Sequence, residues 1–404
     1  MNTSGIKPSQ NQTDIAMEAV DWYYNSPEQI FQITGGPGTG KSFLLHYIVD
    51  LLKLDPWEIA PMAFTGAAAI VMRKKGFYNS RTIHSWLLQP VEKKKKDKYG
   101  NDEINTYFNI PEIGIGFIPK PLSPDIKLVV IDEAKMCPLY MRQLLEKYPV
   151  KVLVAGDINQ LDPVASEPGY FIDGQVHYLT EIFRQKADSG IVWIAERIRQ
   201  HLPIHCGEYT DCLVIFDDEI TNDMILASDV LVCGRNDTRD LLTHRVREDI
   251  LHIESSLPSH WERLVCRNNN WQLELDGINL ANGLMGSVSN FPDPSGLYTD
   301  GQLRIDFKPL MLERSFKNIQ IDLDYFRAPF KDKNKYRFTP GKYQGEKFEF
   351  GYAITTHIAQ GSEFSKGMYF EEFLNKQINT QLHYTGITRF ADYCIYVKKK
   401  RRYY

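Results

Sequence analysis

Apolar residues along this chain gather in short unbroken runs separated by amphipathic stretches, the pattern of buried strands alternating with covering helices. FQIT (31–34), IAPMAF (59–64), IKLVVIDE (126–133) and VKVLVAGD (150–157) are four such runs, and residues 13–25 and the stretch from Ser42 carry helical spacing. Strands of this kind, alternating with helices, imply a parallel sheet covered on both faces. A first α/β domain is therefore predicted over residues 1–190. A second series, DVLVCG (229–234), FGYAITT (350–356) and YCIYV (393–397), predicts another over residues 191–286 and 346–404. Two stretches break the pattern. Residues 91–125 are too polar and too rich in proline for core sheet, and read as an insertion in the first domain. Residues 287–345 alternate in short runs such as GQLRIDF and NIQIDLDYF, and read as a small β-rich insertion in the second.

Composition adds limits. At 404 residues, 43% hydrophobic and 24% charged, the chain is an ordinary globular protein. Its net charge of -4 means that any nucleic acid must be met by a local basic groove. The six cysteines are scattered, mostly within apolar stretches, as free thiols of a reducing compartment are. HLPIHCGEYTDC brings His201, His205, Cys206 and Cys212 close in sequence, but the spacing matches no standard zinc knuckle, and buried thiols at a loop or helix end are expected there. MNTSGIKPSQ has no apolar signal core, and APMAFTGAAAIVM falls short of the roughly 18 residues of a membrane span, so a cytoplasmic protein without membrane contact is expected.

The chemistry begins at GGPGTGKS, residues 35 to 42, between an apolar strand and a helix. Gly35, Gly36, Pro37, Gly38, Thr39 and Gly40 form a loop whose amides can close on phosphate oxygens, aided by the helix N-terminus. Lys41 is placed to reach the β and γ phosphates of ATP, and the Ser42 hydroxyl to hold Mg2+. LVVIDEA (128–134) puts Asp132 and Glu133 at the end of an apolar strand, as a Walker B segment does. Asp132 suits the metal, and Glu133 suits a water that must be oriented and deprotonated.

What hydrolysis drives is decided by further segments: FTGAAA (64–69), RTIHSWL (81–87), VAGDINQLDPV (154–164), LTEIFRQ (179–185), AITTHIAQGSEF (353–364) and YTGITRF (384–390). Their order, from about residue 8 to 397, resembles the superfamily 1B DNA helicases, the RecD-like and phage Dda-like members above all. The resemblance implies two RecA-like domains that clamp ATP, a β-hairpin insertion at 91–125 and an SH3-like insertion at 287–345. It implies that Gln12, or failing it Gln10, contacts adenine, and that Gln160 senses the γ phosphate. Arg184 and Arg389 match the arginines that reach across the cleft, and Gln360 and Gly361 lie near the nucleotide or couple it to the strand. Phe64, Thr65, His84, Thr355 and His357 match contacts to single-stranded DNA. The activity so implied is ATP-driven translocation, 5′ to 3′, with unwinding of forked duplex DNA in replication, recombination or repair, by a monomer that meets proteins of those processes.

Two positions depart from the family pattern: Ile358 stands where lysine is common, and Lys135 where a small hydroxyl residue is common. Within 91–125, Lys93, Lys94, Lys95, Lys96 and Lys98 precede a turn at YGND, and Tyr99, Tyr107, Phe108 or Phe117 is the candidate wedge that splits the duplex. The terminal KKKRRYY suits nonspecific phosphate contact or a solubilising tail. The competing reading is a P-loop ATPase or switch without nucleic acid, which leaves Arg184, Arg389 and the AITTHIAQGS segment without a purpose.

Overall fold

A computed structural model describes residues 7–92, 108–110, 115–164, 166–182, 188–292, 303–329, 332–333, 345–374 and 378–400. Ser9 starts helix α1 (Gln10–Asn25) with a reciprocal capping box: its hydroxyl accepts from the Gln12 N–H, and the Gln12 side chain accepts from the Ser9 N–H, each at 3.2 Å. Ile15, Ala16, Ala19 and Trp22 recur at helical spacing and are buried. The strand Ile30–Gly35 then leads through the glycine loop into α2 (Lys41–Leu52).

Six strands make the first sheet in the order Arg81–Thr82, Ile59–Ala63, Leu128–Ile131, Lys151–Gly156, Ile30–Gly35, Val176–Leu179, and every pairing is parallel. Parallel pairing requires crossovers that cover both faces, so Ile59–Ala63 and Leu128–Ile131 are buried at every position. The glycine loop and Asp132 emerge at the same carboxyl edge, one strand apart, where open α/β sheets hold ligands.

The second sheet runs Gly207–Tyr209, Cys212–Phe216, Phe390–Lys398, Phe364–Phe370, Val230–Cys233, Ala353–Thr355, parallel except for the hairpin joining its first two strands. Phe364–Phe370, an interior strand, was not predicted. Exposed Ser365 and Lys366 interrupt its apolar run.

A five-stranded antiparallel sheet follows the order Phe316–Ile321, Leu303–Pro309, Met285–Asn290, Arg263–Cys266, Phe348–Phe350. It is wider than the predicted 287–345, because the short apolar run RLVC at 263–266 pairs antiparallel on both sides instead of joining the parallel sheet. One apolar cluster runs from α1 and α2 through α3 (Gly66–Lys74) into this sheet, where Leu264, Phe307 and Phe348 are fully covered. The antiparallel unit therefore packs on the first domain, although the chain enters and leaves it from the second.

A three-stranded sheet of Leu88–Glu92, Ile115–Pro119 and Phe108–Ile110 occupies the predicted first insertion, starting a few residues early. Phe117, on its central strand, is 1% exposed and meets Trp271 edge-on at 5.4 Å. This corrects the wedge reading for Phe117: a ring covered by Trp271 supports the hairpin and presents no face to a duplex. Tyr99, Tyr107 and the lysines at 93–98 lie outside the described residues, and Phe108 lies on an outer strand. Replacing Phe117 by alanine is expected to cost about 3–5 kcal/mol of stability, read by urea titration. Selective loss of unwinding at unchanged stability would return it to the wedge. No described helix is long and apolar enough to cross a membrane.

Candidate active site

Gly38 and Gly40 take positive φ values of 75° and 79°, the conformations that let the loop wrap toward an anion. Lys41 Nζ donates to the carbonyls of Gly35 (2.8 Å) and Gly36 (3.0 Å), so the ammonium is held over the loop. The Ser42 hydroxyl donates to Asp132 Oδ2 at 3.3 Å. These are hard oxygen donors at the loop's edge, and they suit a divalent cation such as Mg2+. Burial, reinforced by Glu133, pushes the Asp132 carboxyl above its usual pKa against the pull of Lys75 and Lys41, a condition that a bound cation relieves. For Glu133 burial has the same sign, yet Arg389, Lys41 and Lys75 outweigh it and keep this carboxylate ionised. Glu133 sits in the left-handed region at φ 53°.

Arg389 comes from the other domain. It is 4% exposed and is held by the carbonyls of Thr385 (3.1 Å) and Ser362 (3.4 Å) and the Thr388 hydroxyl (3.4 Å). From there its Nη1 lies 3.6 Å from Glu133 Oε1. The Gln160 amide bridges the two, donating to Glu133 at 3.2 Å and accepting from Arg389 at 3.0 Å when its oxygen faces the guanidinium. The loop 157–161 is tied to the second domain at three more points. Tyr384 donates to Asp157 at 2.7 Å, the Leu161 N–H donates to the Thr385 hydroxyl at 2.9 Å, and Gln360 donates to the Leu161 carbonyl at 3.1 Å. Tyr384 and Thr385 were not singled out from the sequence, for nothing but their place in YTGITRF marks them.

Among the residues assigned to the nucleotide, Pro37, Gly38, Gly40, Lys41, Ser42 and Gly361 line a cleft of about 300 Å³ with Asp132, Glu133, Gln160 and Arg389. Two larger clefts, about 1220 and 1030 Å³, lie away from these groups. Gln360 donates to the Leu161 carbonyl, beside Gln160, and does not line the cleft. Gln12 is 2% exposed, donates to the Thr39 carbonyl at 3.3 Å and caps α1 with its oxygen, whereas Gln10 is exposed and bonds Asp14. Gly35, Gly36 and Thr39 build the loop behind the cleft, with Thr39 donating to Gly36 at 2.9 Å. Arg184 lies outside the described residues. Lys135 forms an ion pair with Asp162 at 2.6 Å, tying the segment after Glu133 to the loop that carries Gln160.

Of the DNA candidates, Thr65 caps α3 by accepting from the Ala68 N–H at 3.2 Å. Phe64 faces His84 at 5.7 Å, and His84 stacks on Trp271 at 4.9 Å. His84 is 9% exposed and burial lowers its pKa to about 3, so it is neutral, and Trp271 covers a face that was expected to be open to a base. That Trp271 was missed is unsurprising: it stands alone in NNNWQ, on a hairpin reaching across from the antiparallel unit. Thr355 and His357 lie at the edge strand of the second sheet and the turn after it, Thr355 6% exposed and His357 with its pKa lowered by burial. Gly361, at φ 76°, lies where a Cβ would come within 2.8 Å of the Thr65 hydroxyl, so this segment rests directly on the start of α3. Among the described residues no group of three or more potential ligands could hold a metal through histidine, cysteine and carboxylates, which includes His201, His205, Cys206 and Cys212.

Two largely parallel sheets, a glycine loop on one and an arginine from the other meeting Glu133, define a P-loop fold built of two RecA-like domains. Comparison with known proteins agrees. A family model described as an AAA domain matches residues 9–210. An ATP-dependent DNA helicase Pif1 of Bdellovibrio bacteriovorus is 31% identical over 151 residues, 34% of this chain and 30% of that protein. An ATP-dependent RecD2 DNA helicase of Deinococcus radiodurans is 30% identical over 170 residues, 40% of this chain and 21% of that protein. The matched stretch is thus less than a third of either relative. A solved structure of two coordinating Pif1 helicases at forked duplex DNA superposes with a TM-score of 0.55 at 16% identity, covering 97% of this chain and 92% of that one. Bacteroides Pif1 bound to single-stranded DNA gives 0.51 at 17% identity with the same coverage. At such identities these two speak for the fold alone. The chain belongs to the AAA domain family, and the two helicases named above are what it is similar to over part of their length.

Proposed function

We propose that this chain is an ATP-driven motor that moves 5′ to 3′ along single-stranded DNA and opens a forked duplex ahead of it. The observation that carries the reading is Arg389 of one domain meeting Glu133 and Gln160 of the other inside one cleft. A site split in this way hydrolyses ATP only when the domains approach, so each turnover is coupled to a domain movement. Both halves belong to one chain, and a monomer suffices.

In this reading Lys41 and the loop amides hold the phosphates, and Asp132 and Ser42 would hold Mg2+, which supplies charge neutralisation at the β and γ phosphates. Glu133 takes a proton from the attacking water, and Gln160 orients that water and reports the γ phosphate. Arg389, with Arg184 as a second arginine, stabilises the charge that develops as the phosphoryl group leaves. Gln12 carries the adenine side. Phe64 and Thr65 grip the strand from the first domain, with His84, covered by Trp271, backing Phe64, and Thr355 and His357 grip it from the second. Closure shortens the distance between those grips, and alternating their hold yields a step. The setting is DNA replication, recombination or repair.

ATP hydrolysis measured with and without an oligo-dT strand tests the coupling. Strong stimulation by the strand is expected. Hydrolysis indifferent to it would favour a P-loop ATPase or switch unconnected to nucleic acid.

A further inference from the structure

We infer that Lys75 is a positioning residue of the nucleotide cleft, bracing the second domain against the first through Glu363 so that ATP enters an assembled site. The inference rests on the proposed function only in requiring that the chain hydrolyse ATP. Lys75 Nζ lies 3.2 Å from Glu363 Oε2. The two residues line the same cleft as Lys41, Asp132, Glu133 and Arg389. Three carboxylates (Asp132, Glu133, Glu363) thereby face three cations (Lys41, Lys75, Arg389).

The base of Lys75 is fixed. It is the C-cap of α3, its N–H donates to the Val71 carbonyl at 3.1 Å, and its own carbonyl accepts from His46 Nε2 of α2 at 2.7 Å. His46 in turn stacks on Phe77 at 3.9 Å. A lysine so anchored to the helix behind the glycine loop has only its side chain free to reach across the cleft. Burial disfavours its charge, but Glu363, Asp132 and Glu133 more than compensate and raise its pKa, so the ammonium persists through the neutral range.

The partner comes from the segment that also holds Gln360, Gly361 and Ser362. Gly361 rests on Thr65 and Ala68 at the start of α3, the Ser362 carbonyl accepts from Arg389, and Glu363 meets the end of α3. The nine residues of α3 span roughly 13 Å. The segment thus touches both ends of the helix, its start through Gly361 and its end through Glu363. Neither Lys75 nor Glu363 was marked by the sequence, because lysine at a helix end and glutamate in a turn are ordinary surface choices.

An ion pair with side chains 29% and 42% exposed contributes modestly. Its loss should loosen the assembled form without touching the reacting atoms. Steady-state hydrolysis of the full chain is compared for wild type, Lys75→Met, Glu363→Gln and the exchanged double variant Lys75→Glu with Glu363→Lys. Each single change is expected to raise KM for ATP about 2- to 5-fold with kcat within about 2-fold, and the exchange to bring KM back toward wild type. The effect should shrink at about 0.5 M salt. Unchanged KM in both single variants, additive losses in the exchanged pair, or a collapse of kcat at constant KM would each overturn the proposal. Glu363→Gln keeps the test intact if Lys75→Met folds poorly. A wild-type rate indifferent to oligo-dT would count against the motor reading alone, since every arm here is read as KM for ATP.

Discussion

Arg389→Ala should leave nucleotide affinity within a few-fold of the parent protein while hydrolysis falls about 10³- to 10⁵-fold. The guanidinium already stands at the carboxylate proposed as the base, 3.6 Å from Glu133, and shares Gln160 with it. It is pre-aimed by carbonyls of its own domain, those of Thr385 and Ser362, so little reorganisation is needed when charge develops on the transferring phosphoryl group. Binding, by contrast, is assigned in the proposed function to the loop and Lys41 on the other domain. Because Arg389 is 4% exposed, its removal also leaves a hole, and Arg389→Lys serves as the companion variant. Lysine retains a charge but not the planar fork, and is expected to recover folding without recovering the rate. Fluorescent-nucleotide binding and phosphate release measured on both variants decide the matter. Equal loss of binding and hydrolysis would make Arg389 a structural residue.

Lys41→Ala is expected to abolish measurable turnover, a loss of at least about 10²- to 10³-fold. Lys41 Nζ makes its hydrogen bonds to the loop carbonyls of Gly35 and Gly36, the position from which it can turn to a phosphate as ATP arrives. Removing the ammonium leaves the backbone of the loop in place, and α2 keeps its buried Leu44, Leu45, Ile48 and Leu52. The melting temperature should therefore stay close to that of the parent while activity vanishes. Residual hydrolysis near the parent rate, or a melt shifted as far as that of a core variant, would contradict the assignment.

The parts that were legible in the sequence are those whose physics is local. GGPGTGKS needs glycines because Gly38 and Gly40 take positive φ, and LVVIDEA reads as a buried strand ending in acids because Leu128–Ile131 is buried on both faces. The two α/β domains followed from the same alternation. Phe364–Phe370 escaped because Ser365 and Lys366 break the run although the strand is interior, and the antiparallel unit was placed too narrowly because RLVC at 263–266 is too short to declare its partner. Contacts between distant segments were the least readable. Trp271 over His84, Tyr384 on Asp157 and Lys75 on Glu363 each join residues whose local sequence says nothing of the other. Lys135, a departure from the family pattern, acquires a reason only in three dimensions, as the partner of Asp162.

The central claim, that a cleft split between two domains turns ATP into movement along DNA, is tested most directly by unwinding of forked duplexes carrying a single 5′ or 3′ tail, with ATP. Strand separation from the 5′-tailed substrate, lost with ATP withheld and in Arg389→Ala, is the expected result. Separation only from the 3′ tail, or none from either while single-stranded DNA still stimulates hydrolysis, would contradict it.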